Sequence, residues 1–224
     1  MRLRFWSNAF HHKGASDFSM GIRSFLIAAA AAAIASMALA GCTTDGAGRM
    51  AASDYGSFAD AGYQLPAISL QQLPSQFRRQ VVDYETRERP GTIIVDTAAR
   101  FLYLVQEDGK ALRYGIGVGR DGFRWSGTHR ITRKAEWPGW TPPPAMRARE
   151  RAKGNILPAH MPGGLDNPLG ARALYIGSTI YRIHGSPEWN SIGQNVSSGC
   201  IRLINQDIID LYNRVEVGAK VVVK

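Results

Sequence analysis

The sequence predicts a mainly β domain over residues 91–224, a β-sandwich with one short C-terminal helix and a long proline-rich loop. Three observations carry this. Short runs rich in β-branched and aromatic residues recur from Thr92 onward, separated by turn residues. Prolines at 138, 142, 143, 144, 158, 162 and 168 remove so many amide donors that residues 138–170 cannot supply central strands. Only one stretch, from Asn205, keeps a helical period.

Taken in order, Thr92 to Asp96 and Arg100 to Gln106 read as strands, Glu107-Asp108-Gly109-Lys110 as a hairpin turn, and Ala111 to Val118 as the returning strand. His129 to Trp137 adds another. Residues 138–170 form the long loop, with a short helical piece at Ala145 to Lys153 and with Trp137, Trp140 and Met161 as candidates to line a groove. Arg172 to Gly177 and Ile180 to His184 form a second strand pair. Asn205 is placed to cap the helix, Asp207 suits its first turn, and Ile208, Leu211, Tyr212 and Val215 make its apolar face. Val217 to Val223 supplies the last strand. These 134 residues are enough for one domain with a core.

The chain before residue 91 reads differently. Phe25 to Ala40 is a 16-residue apolar run behind Arg23, short for a membrane span, and it ends in Leu39-Ala40-Gly41-Cys42, which resembles a bacterial lipobox. Residues 1–41 are therefore expected to be a lipoprotein signal peptide, with Met20 a candidate true start and Cys42 the lipidation site. A plain secretory signal cut near Ala40 and an uncleaved anchor helix are the alternatives. Residues 42–90 read as a lipid-anchored tether and linker, because 43–76 are rich in Gly, Ala, Ser and Asp without a sustained period. Within that segment, Val81 and Val82 could form an arm against the domain.

Without residues 1–41 the chain keeps 23 basic and 17 acidic residues, a net +6 that suits an anionic wall polymer or membrane surface. No zinc-finger spacing or single-strand-binding aromatic pattern points to nucleic acid. If lipid consumes Cys42, Cys200 is left as the one other cysteine of the chain, in an exported setting where a free thiol is buried, paired between molecules, or used.

Cys200 follows His184 by 16 residues across a loop rich in Gly, Ser and Asn. Tyr181 and Ile183 alternate with Arg182 and His184, so His184 falls at the polar end of a strand. A cysteine attacks as its thiolate, and a neighbouring imidazolium would lower the thiol pKa and supply the acid for a leaving amine. The amides of Gly199 and Cys200 are candidate oxyanion donors, because glycine permits a tight turn. Each residue also has a plain reading, as buried thiol, structural histidine or turn glycine, and spacing alone leaves both open.

His184-Gly185-Ser186, Trp189-Asn190, Ile192-Gly193 and Val196-Ser197-Ser198-Gly199-Cys200-Ile201-Arg202-Leu203 closely resemble the signature of the L,D-transpeptidase catalytic domain, the YkuD family, over about residues 91–217. Val95 to Gly119 is similar to that domain's opening hairpin. The resemblance implies an L,D-transpeptidase-like β-sandwich acting on peptidoglycan stem tetrapeptides, with no cofactor and no metal. It assigns the nucleophile to Cys200, the base and acid to His184 and the orienting carbonyl to Gly185. It gives substrate contacts to Arg202, Ser198 and Trp189. It also implies release of a terminal D-alanine and transfer of the acyl group to an amine, from a stem peptide or from an outer-membrane lipoprotein. The enzyme is expected to be monomeric, held by lipid on the periplasmic face, by resemblance of Thr43 after the anchor to outer-membrane sorting. Ser198 stands where many members carry histidine, and Ser126-Gly127-Thr128 replaces a proline-containing turn.

Competing readings separate on order and spacing. Sortase-like enzymes place histidine and cysteine much farther apart, and papain-type enzymes place cysteine first. A zinc site from His129, His160, His184 and Cys200 lacks compact ligand spacing. An L,D-carboxypeptidase and a non-catalytic peptidoglycan-binding lipoprotein stay open at this level, and acylation of Cys200 separates the last from an enzyme.

Overall fold

The computed structural model describes residues 52–120 and 125–224. The expected signal peptide and Cys42 lie outside the described residues. Between 52 and 90 the chain makes three strands, β1 (Phe58–Asp60), β2 (Tyr63–Leu65) and β3 (Gln80–Asp83), although it was expected to be a tether. Tyr55, Leu65 and Leu73 are almost fully buried, which a solvated linker would not allow. Folded packing therefore extends N-terminally well beyond residue 90. Val81 and Val82 lie in β3, the arm that the sequence suggested.

The main sheet is built from β3 with β4 (Ile93–Asp96), β5 (Phe101–Val105), β6 (Lys110–Gly115), β8 (Gly127–Glu136), β9 (Arg172–Ile176), β10 (Arg182–Ser186), β12 (Ile201–Ile204) and β13 (Lys220–Val223). Their order is β12-β10-β9-β8-β13-β4-β5-β6-β3. Two short strands, β7 (Val118–Gly119) and β11 (Asn195–Ser197), pair separately in parallel.

Strand β8 turns this sheet into two facing layers. Its first half pairs with β13 and its second half with β9, and the register shifts between Ile131 and Arg133. Such a bulge bends a strand and increases its twist. The sheet folds at that point, and Ile93, Leu102, Tyr114, Leu174, Ile183 and Ile201 from both halves meet in one core. A backbone bridge joins Gly117, just past β6, to Arg202 of β12, with two N–H···O bonds of 2.9 Å. This bridge ties the strand that follows the nucleophile position to the opposite half of the sheet.

Among the described residues two α-helices accompany the sheet, the expected C-terminal one and a second inside the proline-rich segment. Helix α1 (Pro144–Ala152) occupies the helical piece expected inside the proline-rich segment; its first residue is proline, which costs nothing at a position whose amide has no helical partner. None of its residues is buried. Helix α2 (Asn205–Arg214) buries Ile208 and Leu211 in the core, each worth about 1.5–3 kcal/mol by removal from water. Asn205 does not cap α2. Ile204 holds the cap position, and the Asn205 side-chain oxygen instead accepts the Ala171 amide at 2.9 Å.

Trp137 is core rather than groove. Its ring lies 4.2 Å from that of Tyr63, and its indole N–H donates to Asp60 at 2.8 Å. Trp140 and Met161 exchange two backbone bonds of 2.8 Å that fasten the two ends of the intervening loop. Among the described residues no helix is long and apolar enough to cross a membrane.

Candidate active site

Strands β10 and β12 run parallel and in register, with Ile183 opposite Ile201 and His184 opposite Arg202. Ile183 and Ile201 both point into the core, so alternation puts His184, Arg202 and, one step earlier, Cys200 on the other face. The sequence places histidine and cysteine on separate segments, and this parallel pairing brings His184 of β10 and Cys200, the residue just before β12, to one face. Cys200 is a free, half-buried thiol.

His184 is held in one tautomer. Its Nδ1 lies 2.6 Å from the Gly185 carbonyl oxygen, which can only accept, so Nδ1 carries the proton and donates it. Nε2 is left as the lone-pair nitrogen. Gly185 suits this role because there is no room there for a side chain: a Cβ would collide with the Asn205 side-chain oxygen and come within 2.9 Å of Ile208. Helix α2 thus packs directly on the backbone that orients the imidazole.

The turn before Cys200 is set by Gly199 at φ +105°, a conformation that favours glycine. Ser197 braces it from within: its hydroxyl donates to the Cys200 carbonyl at 2.6 Å and accepts the Gly199 amide at 3.1 Å. That bond corrects the expectation for Gly199, whose N–H is spent inside the turn, and leaves the Cys200 amide as the oxyanion candidate of the two. Trp125 holds the turn from outside. Its indole N–H donates to the Gly199 carbonyl at 2.8 Å while its ring stacks on Tyr181 at 4.5 Å. Sequence reasoning missed Ser197 and Trp125; the Val-Ser-Ser-Gly-Cys string contained Ser197, but nothing near Trp125 marked it.

The remaining expected residues separate in space. Arg202 donates to Glu188 at 2.8 Å, so its charge is already engaged. Ser198 accepts a bond of 3.3 Å from Arg149 of α1, which brings the proline-rich segment against the nucleophile turn. Trp189 lines a cavity of about 400 Å³ with Leu65, Ile68, Leu165, Ser186 and Gln206. Cys200 is not among the residues that line it. No cluster of metal-ligating side chains occurs among the described residues.

Burial pushes the His184 imidazolium down to about pKa 3, against the pull of the Gly185 carbonyl, and Arg202 and Arg182 add to the depression. The resting imidazole is therefore neutral, contrary to the imidazolium drawn from general cysteine chemistry. Its effect on stability has a definite sign. Below the ordinary value of 6.5 the unfolded chain binds a proton that folded His184 refuses, so stability falls as pH drops towards about 3. Asp207, raised by burial to about 7 from 3.8, acts in the opposite sense over an overlapping window. The difference in Tm between wild type and His184→Gln, followed from about pH 8 to 4, isolates the histidine. Wild type should lose stability relative to the variant as the medium is acidified, and a constant difference would contradict the buried neutral ring.

The family model described as the L,D-transpeptidase catalytic domain, YkuD, matches residues 90–223. The probable L,D-transpeptidase YbiS of Escherichia coli strain K12 is 41% identical over 135 residues, which is 58% of this chain and 43% of that protein. A putative L,D-transpeptidase from the ATP synthase subunits region of Fuscovulum blasticum, ORF 5, is 32% identical over 192 residues, covering 80% of this chain and 98% of that one. A crystal structure from Brucella melitensis, described as a probable carnitine operon oxidoreductase caia, is 44% identical, covers 66% of this chain and 94% of that one, and has a TM-score of 0.45. The chain spans less than half the length of YbiS. With the family model matched across the whole region from the opening hairpin to the last strand, this chain belongs to the YkuD family of L,D-transpeptidase catalytic domains.

Proposed function

We propose that the chain is an L,D-transpeptidase of peptidoglycan, using Cys200 as nucleophile and His184 as base and acid. The observation that carries this is the in-register β10/β12 pair, which sets Cys200 on the face of a histidine whose tautomer is fixed by Gly185. In the first half-reaction the neutral His184 Nε2 takes the thiol proton as sulfur attacks the carbonyl of an L,D peptide bond. The Cys200 amide receives the oxyanion. The C–N bond then breaks, His184 returns the proton to the departing amine, and a thioester to Cys200 remains. In the second half-reaction an acceptor amine attacks the thioester, loses a proton to His184 and releases the thiol. No step needs a metal or cofactor.

The substrate in this reading is the stem tetrapeptide with its terminal D-alanine as leaving group, and the working place is the cell envelope. Lipidation at Cys42 would hold a monomeric enzyme on the periplasmic face of the outer membrane. Incubating the chain with purified stem tetrapeptides and following products by mass is the test. Release of D-alanine with formation of a crosslinked dimer supports transpeptidation, and release with only a tripeptide product indicates the L,D-carboxypeptidase alternative. Transfer to a lipoprotein lysine would give a tether. No consumption of any stem peptide would overturn the enzymatic reading in favour of a binding lipoprotein.

A further inference from the structure

The face that carries His184 also carries a row of side chains unused by this mechanism. Arg133 of β8 lies opposite Tyr175 of β9, and Tyr175 lies opposite Arg182 of β10. Continuing the β10/β12 register by one step sets Arg182 beside Cys200. The Arg133 guanidinium sits 3.5 Å from the centre of the Tyr175 ring, and that of Arg182 lies 5.2 Å from it. Among the described residues neither guanidinium pairs with a carboxylate, whereas Arg172 and Arg202 on the same sheet do. Two like charges gathered at one aromatic ring repel each other, and an anion between them would relieve the repulsion.

We infer that Arg182, Tyr175 and Arg133 form a carboxylate-binding track that seats an acidic peptide leading to Cys200. This deepens the proposed function and rests on it for the identity of the peptide. Strands stand about 4.8 Å apart, so the row from β12 to β8 spans about 14 Å, the length of about four extended residues. A stem peptide of that size could place its reacting carbonyl at Cys200 while a free carboxylate reaches the guanidiniums. The planar guanidinium matches a carboxylate with two parallel hydrogen bonds, and the ring holds each one in place.

Arg133 is exposed, so replacing it leaves the core untouched. Binding is measured by isothermal titration to the full chain carrying Cys200→Ser, with a stem tetrapeptide as free acid and with its carboxylates converted to carboxamides. The free acid should bind about tenfold more tightly. Adding Arg133→Gln should erase that preference by weakening the free acid alone, and Arg133→Lys should restore part of it. In the native-cysteine chain the same substitution should raise KM for the free acid about tenfold with kcat retained. Acylation at Cys200 with an undiminished preference in Arg133→Gln would overturn the track. An Arg133-dependent preference in a chain that never forms a thioester would uphold the track and remove the transpeptidase reading instead.

Discussion

Replacing His184 with alanine is expected to slow acylation of Cys200 by about 10²- to 10⁴-fold while the sheet stays folded. The imidazole presents a free lone pair on that face, and the Gly185 carbonyl fixes which nitrogen bears it. Without it the thiol must lose its proton to water, and the departing amine must find another acid. The depressed pKa sharpens the expectation. Because burial keeps the ring neutral down to about pH 3, the wild-type rate should not show the loss of base near pH 6.5 that an exposed histidine would impose. Single-turnover acylation followed by mass against pH measures both effects. A His184→Ala chain as fast as wild type would remove the residue from the mechanism.

Arg79→Ala should be the most damaging substitution away from the site, at about 3–5 kcal/mol, because it strips the cation from a buried carboxylate. Arg79 lies on the arm before the domain, only 5% exposed, and reaches Asp207 at 3.8 Å and Asp210 at 3.2 Å on helix α2. It also reaches Asp54 at 3.4 Å. Asp207 is fully buried, and burial already raises its carboxyl to about 7 with Arg79 present. Removing Arg79 raises it further, so the folded variant must keep Asp207 protonated. A raised folded pKa gives stability at low pH that is lost as pH rises. The Tm deficit of Arg79→Ala should therefore be larger at about pH 8 than at about pH 5, and an equal deficit at both would contradict the charge argument.

The legible and the illegible parts of this chain divide on physical lines. Strands β4, β5, β6, β9 and β10 were readable because β-branched and aromatic runs between turn residues are a local signal, and helix α2 because Ile208 and Leu211 recur at helical spacing. His184 and Cys200 stood out through a string of residues whose neighbours are fixed in sequence. The N-terminal arm did not, since its elements are three or four residues long and its anchors Tyr55, Leu65 and Leu73 follow no period. Their burial depends on surfaces contributed from far along the chain. The same holds for Trp125 and Arg149, whose partners Gly199 and Ser198 lie 74 and 49 residues away. Asn205 was misread because a capping residue and a residue that bonds a distant stretch of backbone look identical in sequence; tertiary contact with Ala171, just before β9, decided between them.

Acylation of Cys200 is read directly by intact-protein mass spectrometry. The chain is mixed with a tetrapeptide donor, or with a carbapenem as a small acylating probe, and quenched before turnover. Wild type should gain the mass of one acyl group, mapped by proteolysis to the peptide containing Cys200. Cys200→Ser should gain none, because a hydroxyl starts from a far higher pKa than a thiol and is a much weaker nucleophile at a site shaped for sulfur. A folded Cys200→Ser chain that releases D-alanine from the tetrapeptide at the wild-type rate would contradict catalysis through a Cys200 thioester.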